Sequence, residues 1–310
     1  MNVENSEFSL DYSQKLMFVG SCFSAVVGDY LRSLKFDALV NPFGTLFNPA
    51  SIFQLLTRAL DNRQFDESDL FLQQNVFASF WLHGDFNNVS KEEYLKSANA
   101  SLEAAREYLL HGEWLFLTFG TANTYRLKST GRVVSNCHKQ DASSFEQRLL
   151  AVTEIVEMAR EFFGRLQKAN NRLKVVFTVS PIRHLKMGLH QNNVSKSILL
   201  LAVDEICRSL PDTIYFESYE LLLDDLRDYR FYDDDLVHPS SEAKKYIFEK
   251  FIDAFYLNGG NSPLRQQKLK LAEKILARRS HLPRNPESEE YALFVKKTAE
   301  MEREFERISD

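Results

Sequence analysis

The sequence predicts an α/β protein with three layers, a five-stranded parallel sheet covered by helices on both faces, and a helical appendage at its C-terminal end. Two observations predict it. Apolar runs of strand length recur along the chain, each followed by a stretch whose apolar residues fall at helical spacing, the alternation a parallel sheet requires. The 310 residues suffice for one large domain or two ordinary ones, and 44% hydrophobic, 13% aromatic and 26% charged residues is ordinary globular usage rather than that of disordered or short-period repeat chains.

In chain order, the first strand is read at Leu16–Val19 with a helix at Ala25–Leu34, and the second at Phe36–Val40 with a helix at Pro49–Leu60. Residues Asp61–Asn88, carrying Val76, Phe77, Phe80, Trp81 and Phe86, read as an aromatic-rich loop or short hairpin. Ser90 and Glu93 have the spacing of a capping box and open a helix over Lys91–Leu110. The third strand, Trp114–Phe119, precedes a hairpin at Tyr125–Val134 that turns at Ser129-Thr130-Gly131. A helix at Ser144–Gln167, a strand at Leu173–Val179, a helix at Val194–Leu210, a strand at Thr213–Phe216 and a helix at Ser240–Tyr256 complete the alternation. From Leu264 to Asp310 there are 11 basic and 9 acidic residues, interrupted at Pro283–Pro286, which reads as two charged helices that either cap the sheet or form an arm for a partner or for oligomerisation. The expected division is therefore a domain over 1–260 and a charged extension over 261–310.

Lys plus Arg number 38 and Asp plus Glu 43, a net charge of −5, which argues against a nucleic-acid partner bound through a broad basic surface. No run of about 18 apolar residues appears, and Met1–Leu10 lacks a basic start and an apolar core, so the expectation is a cytoplasmic chain with no membrane partner. The three cysteines, Cys22, Cys137 and Cys207, do not suggest a disulfide framework. Cys207, beside Leu201 and Ile206, reads as a core thiol, and His83, His111, His190 and His281 as surface or capping residues.

Four motifs carry residue types suited to chemistry, each beside a strand end or a helix start. Gly20-Ser21-Cys22-Phe23-Ser24 leads from the first strand into a helix, whose free N–H groups and positive dipole end favour an anion; a thiol there is expected to be more acidic than the free value of about 8.5. Asn41-Pro42-Phe43-Gly44 and Gly120-Thr121-Ala122-Asn123 follow the second and third strands and offer a glycine N–H and an asparagine amide, donors of the kind that cradle an oxyanion. Asp235 precedes His238 by three residues, a spacing that lets the carboxylate hold the imidazole in one tautomer. Asn136, His138, Arg183 and His184 stand beyond the third and fourth strands, where they would line the same cleft. The cysteine and histidine spacings match no zinc pattern, and no cofactor or metal is expected.

In this order the motifs resemble the blocks of the SGNH (GDSL-like) hydrolase superfamily. More narrowly, Gly20-Ser21-Cys22-Phe23-Ser24, Asn136-Cys137-His138-Lys139 and Ser180-Pro181-Ile182-Arg183-His184 resemble the GSCFA domain family over about Leu16–Phe255. The resemblance implies a flavodoxin-like strand order, an oxyanion hole at Gly44 and Asn123, a base at His238 and its orienter at Asp235. The superfamily reads Gly-Asp-Ser with serine as nucleophile, so counting from Gly20 favours Cys22 over Ser21. The implied activity is an esterase on a small-molecule or glycan O-acyl ester; the alternatives are acyl transfer to a sugar hydroxyl and a non-catalytic binding module. The oligomeric state is left open.

Overall fold

The computed structural model describes residues 8–257 and 262–308. In chain order they form β1 (Lys15–Gly20), α1 (Cys22–Ser33), β2 (Asp37–Val40), α2 (Pro49–Leu60), β3 (Phe71–Gln73), β4 (Val76–Ala78), α3 (Lys91–His111), β5 (Trp114–Phe119), β6 (Asn123–Leu127), β7 (Val133–Val134), β8 (Phe145–Leu149), α4 (Val152–Ala169), β9 (Lys174–Val179), α5 (Gly188–Ser209), β10 (Thr213–Tyr215), α6 (Ser218–Glu220), α7 (Ser241–Ile252), α8 (Pro263–Arg279) and α9 (Glu289–Arg307). The central sheet has the order β10-β9-β5-β1-β2 with every pair parallel. After β2 the chain passes back over β1 to β5, so connections leave the C-terminal ends of β1 and β5 in opposite directions and a crevice opens between them.

Side chains alternate across the strands and divide the interior in two. Met17, Val19, Leu115, Leu117, Val175 and Phe177 point to the layer of α2, α3, α4 and α5. Leu16, Phe18, Trp114, Phe116 and Val176 point to α1, α7, α8 and α9, with Phe18 stacked on Phe116 at 4.3 Å. Leu271, Ala272 and Ile275 of α8 and Phe305 of α9 belong to this second layer, where Phe305 meets Tyr12 edge-on at 5.0 Å.

Local signals set the helix starts. Asn48 caps α2 ahead of Pro49, and the Ser90 Oγ accepts the Glu93 N–H at 3.2 Å to open α3. The aromatic segment contains the β3–β4 hairpin, and the hairpin expected after the third strand is β6–β7. One expectation is corrected: Phe145–Leu149 is a strand paired antiparallel with β6, and the helix starts at Val152 rather than near Ser144. The Glu154 carboxylate accepts the Ala151 N–H at 2.7 Å and holds Arg148 at 2.7 Å, which fixes that start. No described helix is long and apolar enough to cross a membrane.

Candidate active site at the C-terminal edge of the sheet

Gly20 ends β1 with φ 151°, a conformation L side chains rarely adopt, and a Cβ there would collide with the Thr118 carbonyl of β5. Its N–H donates to the Asn41 Oδ1 at 2.9 Å, tying this turn to the one after β2. Ser21 is the N-cap of α1: it is 1% exposed, and its Oγ accepts the Phe23 N–H at 3.3 Å. Cys22 is the first helical residue and half-buried. Burial pushes its thiol up, more than the Cys22 and Phe23 N–H groups and the charges of Lys196 and Lys244 pull it down. The expectation of an unusually acidic thiol is thus overturned, because partial desolvation outweighs the helix terminus.

The remaining motif residues have partners that sort them. Gly44 sits in the left-handed region at φ 73°, donates its N–H to the Asn41 carbonyl at 2.8 Å, and lies so close to His83 that a Cβ would strike that side chain. The Gly44 N–H is therefore engaged within its own turn. Asn123 is 7% exposed, and its Oδ1 makes no hydrogen bond among the described residues. The Asn136 Oδ1 accepts the His138 N–H at 2.8 Å, while the buried His138 ring places Nε2 2.8 Å from the Ser79 carbonyl and meets Phe71 edge-on. His138 thus fastens the aromatic segment, and burial lowers its pKa.

Arg183 lies over the Tyr232 ring at 5.3 Å, joining the turn after β9 to the loop before α7. The His184 Nε2 and the Ser21 Cβ each stand 3.2 Å from where a Gly120 Cβ would be, which brings the ends of β1, β5 and β9 to one point. Burial, and then the Lys196 charge, depress the His184 pKa to about 4, so its ring is neutral near pH 7. In the loop before α7 the Asp235 Oδ1 accepts the Val237 and His238 N–H groups, each at 2.9 Å, and its Oδ2 is 2.5 Å from the His238 Nδ1. These bonds, led by the His238 N–H, hold the Asp235 pKa down at about 2. The pair is exposed, and among the described residues no hydrogen bond joins the His238 ring to Ser21 or Cys22. Lys244, which bears on the Cys22 thiol, is bonded to Asp233 in the same loop at 3.3 Å.

A profile of the GSCFA family matches residues 15–251, from β1 into α7. The chain belongs to the GSCFA family. No curated protein matches the sequence. Among solved structures, this GSCFA chain is similar to an acetyl xylan esterase (Est2A) from the rumen bacterium Butyrivibrio proteoclasticus, at 11% identity and a TM-score of 0.41. That likeness covers 80% of this chain and 64% of the other, so the GSCFA chain spans less than two thirds of that protein's length. A carbohydrate esterase of family 3 from Talaromyces cellulolyticus is similar at 11% identity and a TM-score of 0.26, over 51% of this chain and 59% of that one.

Sequence reasoning missed one buried charged group beside these residues, Lys196 on α5. It is 1% exposed, and its Nζ donates to the Gly120 carbonyl at 2.6 Å and the Ser180 carbonyl at 2.5 Å. The signal was available: Lys196, Leu199, Val203 and Ile206 fall at helical spacing on one buried stripe, and a lysine in such a stripe needs a polar reason.

Proposed function

We propose that this GSCFA protein is an enzyme that breaks carboxylic ester bonds through an acyl-enzyme on Cys22, with a small-molecule or glycan O-acyl ester as substrate. The Asp235–His238 pair carries the reading. An ionised carboxylate 2.5 Å from Nδ1, itself held by two backbone N–H groups, fixes the proton on Nδ1 and leaves Nε2 as the base. Cys22 is preferred to Ser21 because the serine hydroxyl is buried and already accepts the Phe23 N–H as a helix cap, whereas the thiol is half-exposed.

In the first half-reaction Nε2 of His238 takes the thiol proton, Sγ bonds to the carbonyl carbon, and the carbon–oxygen bond to the alcohol breaks as that oxygen receives the proton back. In the second, water adds to the thioester while Nε2 takes its proton; the C–S bond breaks and the thiol is restored. The oxyanion formed in each step is assigned to the Cys22 N–H and the Asn123 amide, with Gly44 contributing once its N–H leaves the Asn41 carbonyl. The His238 loop must close on Cys22 for the first step, in keeping with catalytic hydrogen bonds that tighten only when substrate is bound.

The test is intact mass after mixing with p-nitrophenyl acetate. The unmodified protein and Ser21→Ala are expected to gain one acetyl group and Cys22→Ala none; an adduct in Cys22→Ala that vanishes in Ser21→Ala moves the role to the serine. Formation of a new ester in preference to acid when an alcohol is added identifies a transferase, and no adduct in any variant identifies a binding module.

A further inference from the structure

The buried face of α5 changes character along its length. Through Leu199, Ala202, Val203 and Ile206 it is apolar, as a helix packed on a sheet requires, but one and two turns earlier the same stripe carries Asn192, Ser195 and Lys196, each 3% exposed or less. Polar side chains are buried this fully only where they are bonded. All three reach turns at the C-terminal edge of the sheet: the Asn192 Oδ1 accepts the His184 N–H at 2.9 Å, and the Lys196 Nζ donates to the Gly120 and Ser180 carbonyls. Ser195 makes two bonds to a single turn. Its Oγ accepts the Ala122 N–H at 2.7 Å and lies 2.9 Å from the Thr121 Oγ1, which accepts the Asn123 N–H at 3.1 Å. A hydrogen bond between two hydroxyls thus links the two consecutive N–H groups that lead into Asn123.

We propose that Ser195 is a positioning residue for the oxyanion donor: through Ala122 and Thr121 it fixes the backbone of Asn123, and with it the place of the amide that meets the acyl oxygen. The turn is held from both sides. The Gly120 and Thr121 N–H groups donate to the Phe47 carbonyl at 2.8 and 2.9 Å, so with Ser195 every backbone N–H from Gly120 to Asn123 has a fixed partner. The Asn123 Oδ1 makes no hydrogen bond among the described residues, which leaves the backbone to set where this side chain stands. A donor to a developing charge works by being in place beforehand, and displacing such a group by about 1 Å costs about 10²-fold in rate. The role rests on ester cleavage with Asn123 at the oxyanion, and it is the same whether Cys22 or Ser21 attacks.

The test is a double-mutant cycle of Ser195→Ala, Asn123→Ala and the pair in hydrolysis of p-nitrophenyl acetate, with folding checked by circular dichroism. Ser195→Ala is expected to lower kcat by about 10- to 100-fold and to change KM by less than about twofold. Asn123→Ala removes the donor itself and is expected to cost about 10²–10³ in kcat. In the Asn123→Ala protein, the second substitution is expected to cost less than about twofold, because the group it positioned has gone. Equal losses in both backgrounds, or a Ser195→Ala kcat within about twofold of the unmodified protein, overturns the proposal and leaves ester cleavage standing; a residue needed only for folding gives the latter result together with a lower urea midpoint. Should Ser195→Ala not fold, Thr121→Val breaks the same link from the side of the turn at nearly constant volume, and its cycle with Asn123→Ala decides by the same criteria. No turnover by the unmodified protein, or an Asn123→Ala variant as active as it, overturns the reading beneath and this role with it.

Discussion

At Gly20 a side chain would meet the Thr118 carbonyl in a backbone conformation that itself disfavours one, so Gly20→Ala is expected to lose about 3 kcal/mol of stability, read as a lower urea midpoint. Asp235→Asn keeps the shape of the loop but permits the wrong imidazole tautomer, and its kcat on an activated ester is expected to fall by about 10⁴. Lys196 gives a pH dependence with a definite sign. Its folded pKa, about 7, lies below the unfolded value of about 10.4, so the unfolded chain binds more protons between them. Its penalty is absent above about pH 10.4 and grows as pH falls toward about 7; denaturation across this range should show a slope that Lys196→Met lacks. At this scale the sequence was legible in part. Asp235 and His238 lie three residues apart, and that local spacing alone implied their bond. The partners of His138 and Lys196 lie 59 and 76 residues away, at Ser79 and Gly120, and the elevated Cys22 thiol follows from packing that no motif displays.

Elements with a local cause were the readable ones. Helices α2 and α3 begin where Asn48-Pro49 and Ser90 place them, and the core strands follow from continuous apolar runs. Strand β8 was not readable: Phe-Glu-Gln-Arg-Leu is a strand because β6, about twenty residues earlier, offers its edge, while the helical period of α4 runs on through it in one dimension. The aromatic segment is anchored by a different device. Arg58 of α2 and Asp69 are 4% and 8% exposed and 2.5 Å apart, the Trp81 Nε1 donates to the same carboxylate at 2.8 Å, and Arg58 lies 3.9 Å from the Phe65 ring centroid. Asp69→Asn leaves Arg58 buried without its counter-charge and is expected to cost about 3–5 kcal/mol, measured by denaturation. Limited proteolysis should then cut first within residues 61–88.

Over the whole molecule, the sheet order brings Gly20, Gly120 and His184 together although they are scattered along the chain, since parallel strands with crossover helices gather their C-terminal ends on one edge. Phe305 of α9, 7% exposed, makes a whole-molecule contact of another kind: it closes on Tyr12, which stacks on Phe36 at 3.9 Å and meets Tyr256 edge-on. Phe305→Ala should therefore lower stability by about 3 kcal/mol, seen as a lower Tm of one cooperative transition. During synthesis the same contact acts as a delay. Tyr12 and Phe36 leave the ribosome long before residue 305 exists, so a nascent chain must present these rings to solvent while most of the sheet is already available to fold. An apolar patch whose cover is translated about 270 residues after Phe36 stays open to solvent for most of that interval.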